Sequence, residues 1–222
     1  MSVNKEAYKQ INEQLRLSSV TLVAVSKTKP VEDILELYEL GHRDFGENYV
    51  QELVEKAGKL PNDIRWHFIG HLQTNKVKQV APFVYLVHGV DSVKLLKEIN
   101  KQAEKAGRVI DCLLQVHIAK EETKFGFDDN ELRNLFNHIP AYGLNNIKIK
   151  GLMGMASLTE DMTLVRNEFI QLKNLFLELQ AANPELQALS MGMSSDYKIA
   201  LEEKSNMVRI GSLLFGERNY QK

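Results

Sequence analysis

Lys27 closes the apolar run Thr21-Leu22-Val23-Ala24-Val25-Ser26, and Pro30 follows soon after. The run reads as a short buried strand with Lys27 at its carboxyl end. A lysine whose stem lies in an apolar wall loses hydration, so the neutral amine becomes accessible. A neutral amine attacks an aldehyde and forms a Schiff base. Two further stretches suit an anion. Met193-Ser194-Ser195-Asp196 puts two hydroxyls at the start of a helix, and Arg209-Ile210-Gly211-Ser212 puts a glycine and a serine after the last strand. A phosphate there takes the N–H groups of Gly211 and Ser212, the helix start near Ser195, and the hydroxyls. Taken alone, Ser194 and Asp196 read more plainly as helix caps. The second motif, at the neighbouring strand end, favours phosphate. Arg209 stands between Val208 and Ile210. A buried guanidinium needs a partner, either a core carboxylate such as Glu47 or Glu202 or a ligand.

These residues need a scaffold that brings distant segments together. Apolar runs predict strands over 21–27, 43–47, 65–70, 83–90, 109–118, 147–156, 189–193 and 207–211. Helical spacing predicts helices over 30–40, 49–59, 74–81, 92–106, 128–138, 162–182 and 196–204, plus an extra N-terminal one over 3–17. Eight strand-then-helix units demand parallel pairing with crossovers. The fold class expected is α/β, a single (β/α)₈ TIM barrel spanning 1–222. An open dinucleotide-binding sheet needs a glycine-rich first turn, and Ser26-Lys27-Thr28-Lys29 is not one. In a barrel, the C-terminal edge collects Lys27, Glu47 and Asn48, His71, His88 or Asp91, residues 120–124, Met155 to Ser157, Ser194 and Ser195, and Arg209 to Ser212.

Composition narrows the function. Acids and bases are interleaved to a net charge of −1, so no basic block marks a nucleic-acid face. Residues 1–17 are charged throughout, with neither a signal peptide nor a membrane span, and a cytoplasmic protein is the default. Cys112, the one cysteine, sits in an apolar run and reads as a core residue. His67 and His71 have metal-like spacing but straddle a strand end, so no metal site is expected. Residues 150–155 hold two glycines late in a strand, which suits close packing beside a ligand.

Taken together, Ala24-Val25-Ser26-Lys27, Phe45-Gly46-Glu47-Asn48, residues 66–76, Gly151-Leu152-Met153, residues 190–194 and Val208-Arg209-Ile210-Gly211 resemble the pyridoxal phosphate homeostasis family. That family shares the barrel of the alanine racemase N-terminal domain. The resemblance spans nearly the whole chain, in order. It implies pyridoxal 5′-phosphate (PLP) held as an aldimine on Lys27. Ser194, Gly211 and Ser212 would cradle the phosphate, with Ser195 joining. Arg209 would meet the pyridine nitrogen, and Asn48, His71 and Met155 would line the ring. Lys124 would stand where the racemases place an arginine. An arginine at the ring nitrogen donates a hydrogen bond without protonating it, which leaves a weak electron sink. The sequence ends soon after the eighth strand, so the racemases' C-terminal domain, its catalytic tyrosine and its dimer contacts are expected to be missing. The expectation is a monomeric, non-enzymatic PLP carrier that takes part in vitamin B6 homeostasis and passes PLP to apo-enzymes. The rivals are a PLP-dependent racemase or decarboxylase and a cofactor-free Schiff-base aldolase.

Overall fold

The computed structural model describes residues 3–121 and 125–216, so Lys124 lies outside the described residues. Its eight strands close a parallel barrel in chain order. They are β1 (Thr21–Val25), β2 (Asp44–Glu47), β3 (Arg65–Phe68), β4 (Leu86–Val90), β5 (Ile110–Val116), β6 (Ile147–Gly154), β7 (Ala188–Ser190) and β8 (Met207–Ile210). Closure comes from β8 lying beside β1, with Val23 opposite Arg209. The outer ring is α1 (Lys5–Leu17), α2 (Val31–Glu39), α3 (Val50–Ala57), α4 (Val77–Val80), α5 (Val93–Lys105), α6 (Asp129–His138), α7 (Met162–Ala182) and α8 (Tyr197–Glu202), and α9 (Ser212–Phe215) follows β8. The expected barrel and its extra N-terminal helix are both present. Strand ends are shorter than the apolar runs predict, because several runs continue into the loops that build the mouth.

Local chemistry accounts for the helices. Asn4 accepts the Ala7 N–H at the start of α1, and Tyr8, Ile11 and Leu15 form its buried stripe. Asp128 and Glu131 form a reciprocal capping box on α6. Ser92 caps α5 through the Leu95 N–H.

Strand side chains alternate between the helices and the barrel interior. The outward set joins the helices in the main core, with Leu22, Ala24, Phe45, Trp66, Phe68 and Val208 among its buried members. Val23, Leu86, Leu113, Met153 and Met207 form a separate inner cluster. Polar groups share the interior: His67, His88, Ser190 and Arg209 are all buried. The same parity carries Val23 through Val25 to Lys27, and Met207 through Arg209 to Gly211.

Candidate functional site

A cavity of about 380 Å³ opens where the strands end. Lys27, Asn48, Met155, Ser194, Ser195, Arg209, Gly211 and Ser212 all line it. They come from the exits of β1, β2, β6, β7 and β8, so the barrel gathers residues that lie far apart in sequence. His71 does not join them. It lines an adjoining cavity with Tyr49, Gln73 and Lys76, and Asn48 borders both. Its Nδ1 lies 3.0 Å from Asp91 Oδ2, and its ring stacks on Phe125 at 4.1 Å. His88, placed with the mouth residues as an alternative to Asp91, is instead inside the barrel, 2.9 Å from His67.

Two loops carry the serines and the glycine expected to hold an anion. Ser194 Oγ accepts the Gly211 N–H at 3.2 Å, so the β7 and β8 exits are tied together. That N–H, expected to face a ligand, is therefore already engaged. Asp196 precedes α8 without capping it, and its Oδ1 accepts the Met193 N–H at 2.5 Å. The helix-cap reading of Ser194 and Asp196 thus gives way to loop bracing. Gly192 lets β7 turn here: its φ is +98°, and a Cβ would stand 2.6 Å from the Ala200 methyl. On the β8 side, α9 starts at Ser212, and the first N–H groups of a helix have no partner within it. Ser212 and Leu213 border the cavity.

Arg209 forms the inner wall. Its Nη1 donates to the Ser190 carbonyl at 3.0 Å and the Ser190 hydroxyl at 2.6 Å, and its Nη2 donates to the Gly154 carbonyl at 3.0 Å. Of the alternatives for it, pairing with Glu47 or Glu202 does not form. Glu47 bonds Lys56, and Glu202 bonds Arg166. Burial lowers the Arg209 pKa to about 10, which still leaves a cation at neutral pH.

Behind Lys27 lies a buried clamp. The Lys56 ammonium donates to the Ser26 carbonyl and Glu47 Oε1, both at 2.8 Å, and to Glu52 Oε1 at 2.6 Å. The Thr28 N–H donates to Glu52 Oε1 at 2.6 Å, and Thr28 itself is left-handed at φ +63°. Both neighbours of Lys27 are thus held, which fixes where its side chain starts. Glu47 Oε2 is buried without a hydrogen bond, and burial raises the Glu47 pKa to about 7 against the pull of Lys56.

The alanine racemase N-terminal domain model matches residues 5–219. The pyridoxal phosphate homeostasis protein of Aquifex aeolicus is 45% identical over 201 residues, 90% of this chain and 87% of that protein. The chain belongs to the pyridoxal phosphate homeostasis family. A human family member is 40% identical over 215 residues, covering 90% of this chain and 78% of its own. The structure of PipY from Synechococcus elongatus with PLP bound superposes with a TM-score of 0.85 at 36% identity, covering 95% of this chain and 99% of PipY. An alanine racemase from Bartonella henselae shares the fold at a TM-score of 0.70 and 17% identity, with 96% of this chain and 59% of the racemase covered.

In this family member, several site residues were not named from the sequence. Val25, Ile69, Met193 and Leu213 supply apolar wall. Their signal was parity and adjacency: Val25 precedes Lys27 on the same strand face. Lys56 had a clearer signal, since it lies on the buried face of α3 with Val50 and Leu53. Among the described residues, no group of three or more His, Cys, Asp or Glu could hold a metal ion. Nor is any described helix long and apolar enough to cross a membrane.

Proposed function

We propose that this chain binds PLP covalently through Lys27, holds it without turning over amino acids, and passes it to apo-enzymes. The observation that carries the reading is one cavity lined by a lysine, three serines, a glycine-led helix start and a buried arginine. When bound, PLP supplies an aldehyde, a phosphate dianion and a pyridine nitrogen. Each has a fitting group. Lys27 offers the amine, on a strand end whose flanking residues are fixed. Ser194, Ser195, Ser212 and the start of α9 offer hydroxyls and N–H donors at one end of the cavity. Arg209 offers a cationic donor on the cavity lining. Asn48 Oδ1 is buried and without a hydrogen bond, so it is available to a donor on a ligand.

The relatives' naming as homeostasis proteins supports holding over turnover. So does the lining itself. Among the described residues, Lys27 and Arg209 are its ionisable groups, and a second base opposite the lysine is not part of it. Losing such a base costs about 10²–10⁴-fold in rate.

The test is an absorbance spectrum of protein incubated with PLP and dialysed. A visible band that borohydride removes, with the added mass on the Lys27 peptide, is expected. A Lys27→Ala variant that keeps the same band would overturn the assignment. Amino-acid racemisation well above that of free PLP would overturn the carrier reading. Transfer is followed by adding a PLP-free apo-enzyme and measuring its recovered activity.

A further inference from the structure

The barrel interior carries an uninterrupted hydrogen-bond chain that the binding cavity alone does not explain. Arg209 Nη1 lies 2.6 Å from Ser190 Oγ, and Ser190 Oγ lies 3.3 Å from His88 Nδ1. His88 Nε2 lies 2.9 Å from His67 Nδ1, and His67 Nε2 lies 3.0 Å from Asp44 Oδ1. The chain thus crosses from β8 through β7, β4 and β3 to β2. It starts at the cavity wall and ends at the first residue of β2, where the partly exposed Arg65 also holds Asp44.

The chemistry at the two ends fixes its direction. A guanidinium only donates, and an ionised carboxylate only accepts. Arg65 and His67 hold Asp44 far below the usual carboxylate range, so it is ionised. Asp44 can only accept, so with both imidazoles neutral the Ser190 proton goes to His88 Nδ1 while Ser190 Oγ accepts from Arg209. His88 is then protonated on Nε2 and donates to His67 Nδ1. His67 carries its proton on Nε2 and donates to Asp44. Every bond runs the same way. The alternative is an imidazolium at His67 donating in both directions. It would put a second cation in the core with Arg209, facing a carboxylate that Arg65 already shares. Burial also keeps His88 neutral, as the one-way arrangement requires.

We propose that Ser190, His88 and His67 are positioning residues that form a one-way relay, linking the guanidinium of Arg209 to the carboxylate of Asp44 at the other end of the barrel. The relay adds a distant counter-charge, through neutral groups, to the Asp196 carboxylate whose charge already acts on Arg209. It also leaves Arg209 one orientation toward the cavity. The proposal rests on the reading that PLP occupies that cavity. Its tautomers, however, are a property of the protein by itself.

Two measurements test it. The first is long-range ¹H–¹⁵N NMR of the wild-type protein with labelled imidazoles, the signals assigned through His67→Gln and His88→Gln. Both rings are expected as neutral Nε2–H tautomers. A proton on Nδ1 of His88, or a doubly protonated His67, overturns the relay. The second is PLP titration by visible absorbance. His88→Leu breaks the chain and is expected to weaken PLP binding by about tenfold, the scale of one hydrogen bond to a charged group. It should also move the band, because the Ser190 hydroxyl that accepts from Arg209 is no longer oriented by His88. His88→Gln keeps an acceptor oxygen and a donor amide, standing in for the two sides of a neutral imidazole, and is expected to stay within about threefold. Folded His88→Leu protein with wild-type affinity and an unmoved band overturns the proposal. Wild-type protein that binds no PLP overturns the functional reading instead, and the tautomers still decide the relay.

Discussion

The Ser26 hydroxyl donates a 2.6 Å hydrogen bond to Glu47 Oε1, joining the exits of two neighbouring strands directly behind the cavity lysine. Lys56 completes this contact from α3, with its side chain 6% exposed. Lys56→Met removes the cation that opposes the rise in the Glu47 pKa, so Glu47 takes up a proton at neutral pH, and the Ser26 carbonyl and Glu52 each lose a donor, at a cost of about 1–3 kcal/mol. Urea unfolding of the variant at neutral pH measures that loss. Adding Glu47→Gln should change the loss little, because the carboxyl is already neutral once Lys56 is gone. The same pair of proteins should show weaker PLP binding, since the backbone on both sides of Lys27 is released.

His42 gives a pH dependence with a defined sign. Its ring meets Tyr8 and Phe45 edge-on, and burial lowers its pKa from 6.5 to about 4. Above pH 6.5 the ring is neutral in both folded and unfolded chains. Between pH 6.5 and 4 only the unfolded chain takes up the proton, so stability falls as the solution is acidified, by about 3 kcal/mol in all. His42→Gln removes this titration. The variant should be the less stable protein at pH 7, and the gap should narrow toward pH 4 in urea titrations at matched pH. A constant gap contradicts the assignment.

Ser194 tests where a phosphate would sit in the cavity. Ser194→Ala removes both a lining hydroxyl and the acceptor of the Gly211 N–H. PLP affinity should fall by about tenfold, on the scale of a hydrogen bond to a charged group. Binding of pyridoxal, which lacks the phosphate, should change much less. Equal losses for the two ligands would place the phosphate elsewhere.

Gly192→Ala tests the turn that presents Ser194. The added methyl meets the Ala200 methyl in a left-handed backbone. Overpacking and strain together should cost about 2–4 kcal/mol. Thermal unfolding reads the loss, and PLP titration of the folded variant reads the displaced hydroxyl.

Much of this site was legible before any coordinates. Lys27, Gly211 and Ser212 sit at strand ends, and strand ends follow from apolar runs and the residues that stop them. Period-two alternation puts Arg209 on the inner face once Met207 is known to be inside. Its partners were not legible. Ser190, Gly154 and Arg209 come from three strands, and their meeting depends on barrel register rather than on local pattern. The same holds for His88, which the sequence offered as a mouth residue although it lies in a deeper layer of the interior. His71 is displaced for another reason. Gly70 brings the β3 exit against Asn48, where a Cβ would come within 2.2 Å of the Asn48 carbonyl, and His71, the next residue, lines the adjoining cavity instead.

The pairing of β1 with β8 has a consequence for how the protein matures. Thr21 to Ala24 lie opposite Met207 to Ile210, so Lys27 and the Gly211 turn become neighbours only when the two ends of the sheet meet. Contacts of such large sequence separation form late, because the intervening loop must be ordered first. A chain still emerging from the ribosome has the lysine long before it has the cradle. Whatever occupies that cradle therefore binds the finished barrel and not its precursors, and its binding energy opposes the unzipping of this seam.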